Sequence, residues 1–550
     1  MAVTLTINGQ SIPASPGLSL FDQAEFLGID VPTSCRKQGK CKECMVEVVE
    51  GMDLLSPMTE PEHHLKGRFR LSCQTTVAGR SGHVRCHTMR RGQMRIERHA
   101  LGLPASNRSI PLDPAVTRDG DRIVIDGVEV DRSTGPIHGL AMDLGTTTVV
   151  LRLLDLETGE LIADASFENP QRFGGPEVMS RIAYDTEHPG RLLLRTLAGY
   201  LSHAIEKFPV DPKSIYEMVV VGNSTMRDLF FRQNVYTIGQ TPYRSITEIE
   251  MAEGRRASTS LVQTGLRSLL PIHPKARVYG APIISGHVGA DAAACMLAVD
   301  LAHEDRLVTI MDIGTNTELI LGNKDRILAA SCPAGPAFEG GAIACGMPAL
   351  EGAIEDVTIE DDGSFRLRVI GDTKPEGICG SGLVDTLSEL LRTERMNAMG
   401  RFEDGESRVT LWRGPELDED IFLQESDVNE LAQAKGANVA GLHVVFSTYG
   451  IDFSDLDVFY LAGGFGRHLK VEASKRIGLI PDIDSARIVQ AGNTAIEGAT
   501  IALLSRTKRQ ELENLVKKVQ HCRLETHPQF FNYFVEGCQF KPVEAVPCAP

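Results

Sequence analysis

The stretch that most restricts this chain is Ser34 to Met45, SCRKQGKCKECM, completed by Cys73 in RLSCQ. It sets Cys35, Cys41 and Cys44 in a C-x5-C-x2-C loop with a fourth thiol close behind. A 2Fe–2S cluster takes four thiolates, and this spacing offers three from one tight loop and one from a neighbouring strand. Gly39 suits a loop whose backbone must fold round a cluster and aim amides at sulfur. A structural zinc site would show two separated C-x2-C or Cys/His pairs, and only Cys41 and Cys44 form one. A Rieske centre would need two histidines in place of cysteines; His63 and His64 precede Cys73 but are read as surface loop, since four cysteines are already present. The opening MAVTLTINGQ has neither a basic nor an apolar leader region, so a reducing cytoplasmic location is expected and disulfides are disfavoured.

The spacing is one residue longer than the plant-type pattern and resembles that of the adrenodoxin-like ferredoxins. Around it, Val3 to Ile7 alternates and meets Asn8-Gly9, the dipeptide of a tight hairpin. Leu18, Leu20, Phe21, Ala24 and Leu27 recur at helical spacing, and Met45 to Val49 reads as a strand. Strand, strand, helix, cluster loop, strand is the order of an α+β β-grasp ferredoxin domain, expected over residues 1–85.

The rest of the 550 residues exceeds one core and suggests further domains. A net charge of −17 argues against nonspecific nucleic-acid binding and an anionic membrane surface. No apolar run is long enough to span a bilayer; Ala281 to Val299 is interrupted by His287 and Asp291. Residues 86–136 are expected to be a linker. The basic run Arg85 to His99 reads as a solvated linker helix, Gly102 to Asp119 as an extended connector, and Cys86 as a spare thiol.

Near Ile137 a different pattern starts. HGLAMDLGTTTVV carries Asp143, Gly145, Thr146 and Thr147 between two strands, and LVTIMDIGTNTELI repeats the device with Asp312, Gly314, Thr315 and Asn316. Such turns can hold phosphate oxygens on backbone amides and hydroxyls, while the carboxylate can hold Mg²⁺ through water. One copy would be weak evidence; an internal repeat is strong. Glycine loops follow in order: SCPAGPAFEGG with Gly335, GICGSGLVD with Gly380, and FYLAGGFGRHL with Gly463, Gly464 and Gly466. As a set they resemble the phosphate 1, phosphate 2 and adenosine motifs of the actin, sugar kinase and heat-shock chaperone superfamily. That likeness implies an α/β ATPase of two RNase H-like halves, expected at residues 137–300 and 301–550.

With NPQRFGGPEVMSRI, VVVGNSTMRDLFF, GHVGADAAA, DVNELAQAKGA and GNTAIEGA, the ordered motifs look like the reductive activators of corrinoid proteins, and the resemblance covers nearly the whole chain. It implies an ATP-hydrolysing enzyme that returns an inactive Co(II) corrinoid, on a partner protein of a methyltransferase system, to Co(I). It also implies an upstream electron donor and a homodimer. By that resemblance Cys35, Cys41, Cys44 and Cys73 hold the cluster, Asp143 and Asp312 are catalytic, and Gly145, Thr146, Thr147, Gly314, Thr315, Asn316, Gly335, Gly380, Gly463, Gly464 and Gly466 bind Mg-ATP. Thr148 and Thr317 extend the family's turns, and Arg36 stands where a small residue would pack more easily; its charge would raise the cluster potential. Glu318 and Glu339 are candidates to orient the attacking water. Cys295, Cys332, Cys345 and Cys379 read as small buried thiols, and Cys522, Cys538 and Cys548 are too widely spaced for a second cluster. The competing readings are an ATP-driven donor to another metalloenzyme such as a dehydratase, a small-molecule kinase, and a nucleotide-sensing module without turnover.

Overall fold

The computed structural model describes residues 3–89, 111–403, 405–415, 420–464 and 466–544. The remainder of the basic run beyond Met89, the connector before residue 111, and Cys548 lie outside them.

The described residues form two compact units, one of those up to 89 together with 112–281, the other of those from 282 onward. The first unit opens with strands β1 (Val3–Ile7) and β2 (Gln10–Pro13) and the helix Leu20–Phe26. Strands β3 (Met45–Glu50), β4 (Phe69–Leu71) and β5 (Gly82–Thr88) then complete a sheet of order β2-β1-β5-β3-β4. Asn8 and Gly9 both take positive φ, as the tight hairpin between β1 and β2 demands. Ser19 caps the helix in a reciprocal box with Asp22. The parallel pairing of β1 with β5 closes the β-grasp, so the fold reaches Thr88. Arg85 to Thr88 is therefore strand, and Cys86 is fully buried within it.

The stretch expected as a linker holds a three-stranded meander of β6 (Val116–Asp119), β7 (Arg122–Ile125) and β8 (Val128–Arg132). Val116, Ile123 and Ile125 are its buried side chains, and Asp131 accepts from Tyr216 at 2.6 Å. Alternation over so few residues is too short a signal to separate from a turn-rich connector.

Strands β9 (His138–Leu144), β10 (Thr148–Asp155), β11 (Leu161–Glu168), β12 (Ile215–Gly222), β13 (Leu261–Thr264) and β14 (Arg277–Gly280) form a sheet of order β11-β10-β9-β12-β14-β13. β9 to β11 are an antiparallel meander, and β12 then runs parallel to β9. Every residue of β12 is buried, as a central strand covered on both faces requires.

The second unit repeats the plan. β15 (Val308–Ile313), β16 (Thr317–Gly322) and β17 (Ile327–Cys332) form the meander, and β23 (Val458–Ala462) runs parallel to β15 in a sheet of order β24-β23-β15-β16-β17-β25. Here β24 is Ile488–Gly492 and β25 is Val519–His521. β18 (Ala353–Ile359), β19 (Phe365–Val369) and β20 (Gly377–Ile378) make a smaller sheet, and β21 (Arg408–Trp412) pairs with β22 (Ile421–Gln424). The helix Ala290–Ala298, expected in the first half, belongs to this unit. It packs on the helix Thr494–Leu504 so closely that a Cβ at Gly498 would lie 2.0 Å from the Ala294 carbonyl. Two RNase H-like halves behind a ferredoxin domain are thus the architecture. No described helix is long and apolar enough to cross a membrane.

Candidate functional site

The cluster loop turns on four residues of positive φ: Arg36, Lys37, Gly39 and Lys42. Three are not glycine, so the loop stores backbone strain where its function lies. Lys37 anchors it, with Nζ 2.6 Å from Asp22 and 2.7 Å from Glu25 on the first helix. The result aims backbone amides inward. Those of Gln38, Lys40 and Cys41 point at the Cys35 sulfur, those of Ser34 and Glu43 at Cys41, and that of Gly39 at Cys73.

The fourth cysteine is placed by a buried ion pair. Glu62 accepts from Arg70 Nε at 2.8 Å, from the Leu71 amide at 3.0 Å and from Thr75 Oγ1 at 3.0 Å, which fixes the backbone on both sides of Cys73. Burial raises the Glu62 carboxyl, but Arg70 and the Thr59 and Leu71 amides outweigh it and hold it down at about 2.

The four thiols fall into two pairs, Cys35 with Cys41 and Cys44 with Cys73. Within the second, the hydrogen bond from Cys44 draws Cys73 down to about 6 and pushes Cys44 up. Among the described residues no three of these sulfurs lie within 4.8 Å of one another. A single zinc with Zn–S bonds of about 2.3 Å would gather all four more tightly than that. Two adjacent two-thiolate sites are what a two-iron cluster needs, so the donor set fits a 2Fe–2S group. Arg36 is exposed and does not crowd the sulfurs, while Lys42 is half-buried and faces all four.

In the first unit Asp143 is the penultimate residue of β9, and the turn to β10 is closed by the Gly145 amide donating to the Thr148 carbonyl at 3.0 Å. A Cβ on Gly145 would sit 2.7 Å from that oxygen. Asn169 braces the turn from outside: its Nδ2 donates to the Gly145 carbonyl at 2.8 Å and its amide to the Thr147 carbonyl at 2.7 Å. Asn169 stands in the NPQRFGGPEVMSRI motif, which by itself assigns it no role.

In the second unit Asp312 is the penultimate residue of β15, and the Gly314 amide donates to the Asn316 carbonyl at 3.1 Å. Thr315 Oγ1 donates to Glu339, tying the β15–β16 turn to the loop after β17. Gly335 in that loop has φ +77° and open space beside it. Gly380 begins the helix Gly380–Arg392, whose first amides are unpaired within the helix.

Gly463 lies directly on Asp312. It has φ +99°, and a Cβ there would be 2.4 Å from the Ile313 carbonyl and 2.9 Å from Asp312 Oδ1. Gly222 stands in the same relation to the Leu144 carbonyl in the first unit, so the repeat includes this close approach. Gly464 meets nothing within 4 Å. Gly463→Ala is therefore expected to destabilise the second unit by about 2 kcal/mol, and Gly464→Ala by less than about 0.5 kcal/mol; thermal melts of the two variants check the contrast.

The structure adds a group that sequence reasoning missed. Asp291, in the first turn of the helix Ala290–Ala298, joins Asp312 and Glu318 in one acidic cluster. Burial raises Asp291 to about 7 and Asp312 to about 6, and burial with repulsion from both aspartates raises Glu318 further. Cys295 donates to Asp312 Oδ2 at 3.4 Å and accepts from Thr494 at 2.9 Å, so it is not a bystander. The signal available was the helical spacing of Asp291 and Cys295, four residues apart on one face. Among the described residues no three of these carboxylates bring oxygens within 4.8 Å. They do not close round a bare ion.

Comparison with known proteins agrees with this architecture. Residues 3–78 match the family model of the 2Fe–2S iron–sulfur cluster binding domain, residues 138–304 that of the RACo middle region, and residues 306–548 that of the C-terminal domain of RACo, the ASKHA domain. The chain is 29% identical to the corrinoid activation enzyme RamQ of Eubacterium limosum, over 98% of this chain and 99% of that one. It is 26% identical to the [Co(II) methylated amine-specific corrinoid protein] reductase of Methanosarcina barkeri, over 72% and 76% of the two chains. A solved structure, the reductive activator for corrinoid,iron-sulfur protein, superposes with a TM-score of 0.71 at 26% identity, covering 98% of both chains. With the cluster loop, the duplicated Asp-Gly-Thr hairpins and these matches together, the chain belongs to the family of reductive activators of corrinoid proteins.

Proposed function

We propose that this protein is an ATP-dependent enzyme that passes one electron from a 2Fe–2S cluster to a partner corrinoid protein, converting inactive Co(II) to Co(I) ready for methyl transfer. The observation that carries the reading is the union, in one chain, of a paired four-thiol loop with two structurally equivalent Asp-Gly-Thr hairpins. The printed names of RamQ and of the Methanosarcina reductase support the corrinoid partner.

A 2Fe–2S cluster supplies a one-electron carrier; the residues of the chain do the rest. Cys35, Cys41, Cys44 and Cys73 hold it, and the amides of the cluster loop stabilise charge on its sulfurs. The turns at Gly145–Thr147 and Gly314–Asn316 hold nucleotide phosphates on amides and hydroxyls, with Asn169 and Glu339 keeping each turn in shape. Asp143 in the first unit and Asp312 in the second are the carboxylates that would face the Mg²⁺ of a bound nucleotide, which would supply charge neutralisation, and Asp291 or Glu318 would accept the proton of the attacking water. Gly463 leaves room for the nucleotide beside Asp312.

Co(II) reduction lies far below the reach of an ordinary ferredoxin. For one electron each 59 mV of mismatch is a factor of ten in the equilibrium. ATP carries no electrons; it biases a two-state element by its unequal affinity for the two forms. The ATPase body engages the corrinoid protein and raises its cobalt couple, and turnover releases the pair. An upstream donor then refills the cluster.

The test is anaerobic visible spectroscopy of a Co(II) corrinoid protein with catalytic amounts of this protein and a chemical reductant, with and without Mg-ATP. Co(I) absorbance that appears only with ATP is the expected result. ATP consumption with cobalt remaining Co(II) across several candidate partners would overturn the assignment and direct attention to dehydratases.

A further inference from the structure

Glu43 lies between two cluster cysteines, and the first ATPase half holds it from both ends. Its carboxylate is buried, accepting from Ser34 Oγ at 2.6 Å and from His203 Nε2 at 3.1 Å. Its backbone carbonyl accepts from Tyr200 at 2.7 Å, and its amide points at the Cys41 sulfur. Tyr200 and His203 are one turn apart on the helix Leu192–Glu206. Gly199 completes the seat: a Cβ there would lie 2.7 Å from Glu43 Oε1. Hydrogen bonds so far apart in sequence, converging on one residue of the cluster loop, are more than a chance surface contact.

A negative charge buried beside a cluster disfavours the reduced state, which is the more negative one. We infer that Glu43, positioned by His203 and Tyr200 of the ATPase half, is a potential-setting residue that makes the cluster a stronger reductant. The inference rests on the four-cysteine assignment given above. Arg36 opposes Glu43, but from an exposed position where solvent and salt screen its charge. Lys42 opposes it from a half-buried one, so the observed potential is a balance and substitution isolates the share of Glu43. Because the helix belongs to the ATPase half, movement of that helix would reach the cluster through this residue.

The test is a dye-mediated redox titration of the full-length protein, followed by visible absorption and EPR, with iron and sulfide per chain measured in parallel. Only an electron passes between mediator and cluster. Glu43→Gln is expected to keep its iron and to show a reduced-to-oxidised ratio about tenfold higher at any fixed potential, a shift of about 59 mV. Glu43→Asp keeps the charge and should stay within about twofold of wild type. His203→Leu leaves the carboxylate charge less offset and should lower the ratio by about threefold. A fully loaded Glu43→Gln protein with an unchanged ratio overturns the inference. If that variant loses its cluster, a loaded His203→Leu protein with an unchanged or raised ratio overturns it, and loss of cluster from both makes Glu43 purely structural. A wild-type protein without a two-iron cluster would instead sink the cysteine assignment itself.

Discussion

Replacing Asp312 by Asn should lower ATP turnover by about a hundredfold or more while making the protein more resistant to heat at pH 8, and Asp291→Asn should share the second effect. The loss follows from the role proposed for Asp312: a carboxylate facing the nucleotide's metal contributes several kcal/mol in the transition state. The gain follows from burial. Asp291 is raised to about 7 and Asp312 to about 6 from an ordinary 3.8. A carboxyl raised in the folded state binds its proton more tightly there than in the unfolded chain. Its contribution is fully present below pH 4 and is lost as pH rises through about 6 to 7. Three units for Asp291 would be ~4 kcal/mol, but both side chains keep partial contact with solvent, so about 2 kcal/mol is the scale to expect. Melts should show wild type losing roughly 5 °C between pH 5 and pH 8 relative to Asp291→Asn. Mg-ATP should shrink the difference, because the ion favours the ionised form. Equal pH slopes in variant and wild type, with and without nucleotide, would mean that these carboxylates do not form one cluster.

Replacing Cys41 by Ala should abolish Co(I) formation, by at least about a thousandfold, and leave partner-stimulated ATP hydrolysis within about twofold. Cys41 is one of two thiols of the first pair, and its loss leaves an iron site one ligand short. Its effect should not spread to the two hairpins proposed to bind nucleotide, because the strands that carry them have their own ladders and their own buried sheets. Iron content, visible spectrum and phosphate release on one preparation check the split. Loss of hydrolysis together with the cluster would instead mean that nucleotide chemistry depends on the cluster domain.

Much of this was readable along the chain because it rests on short-range rules. Asn8-Gly9 demands its hairpin, the cysteine spacing demands a tight loop, and each Asp-Gly-Thr run carries its strand, turn and strand within about a dozen residues. Other features depended on contacts that no local pattern reports. His64 reads as loop, yet its ring packs edge-on against Phe173, and burial lowers it to about 4. The meander at residues 116–132 gives too few alternations to stand out from a connector.

The sequence by itself determined the kinds of parts: a four-thiol loop, two phosphate-type hairpins and glycines where backbones meet. The tertiary structure decided their partners. It paired Cys44 with Cys73, set Gly463 on Asp312, brought Asp291 to Asp312 and Glu318, and seated Glu43 against Gly199, Tyr200 and His203. The physical reason is that turn and strand preferences act over a few residues, whereas the energies that choose these partners arise from burying distant segments together. A buried charge or a missing Cβ shows its purpose only once the groups it faces are in place.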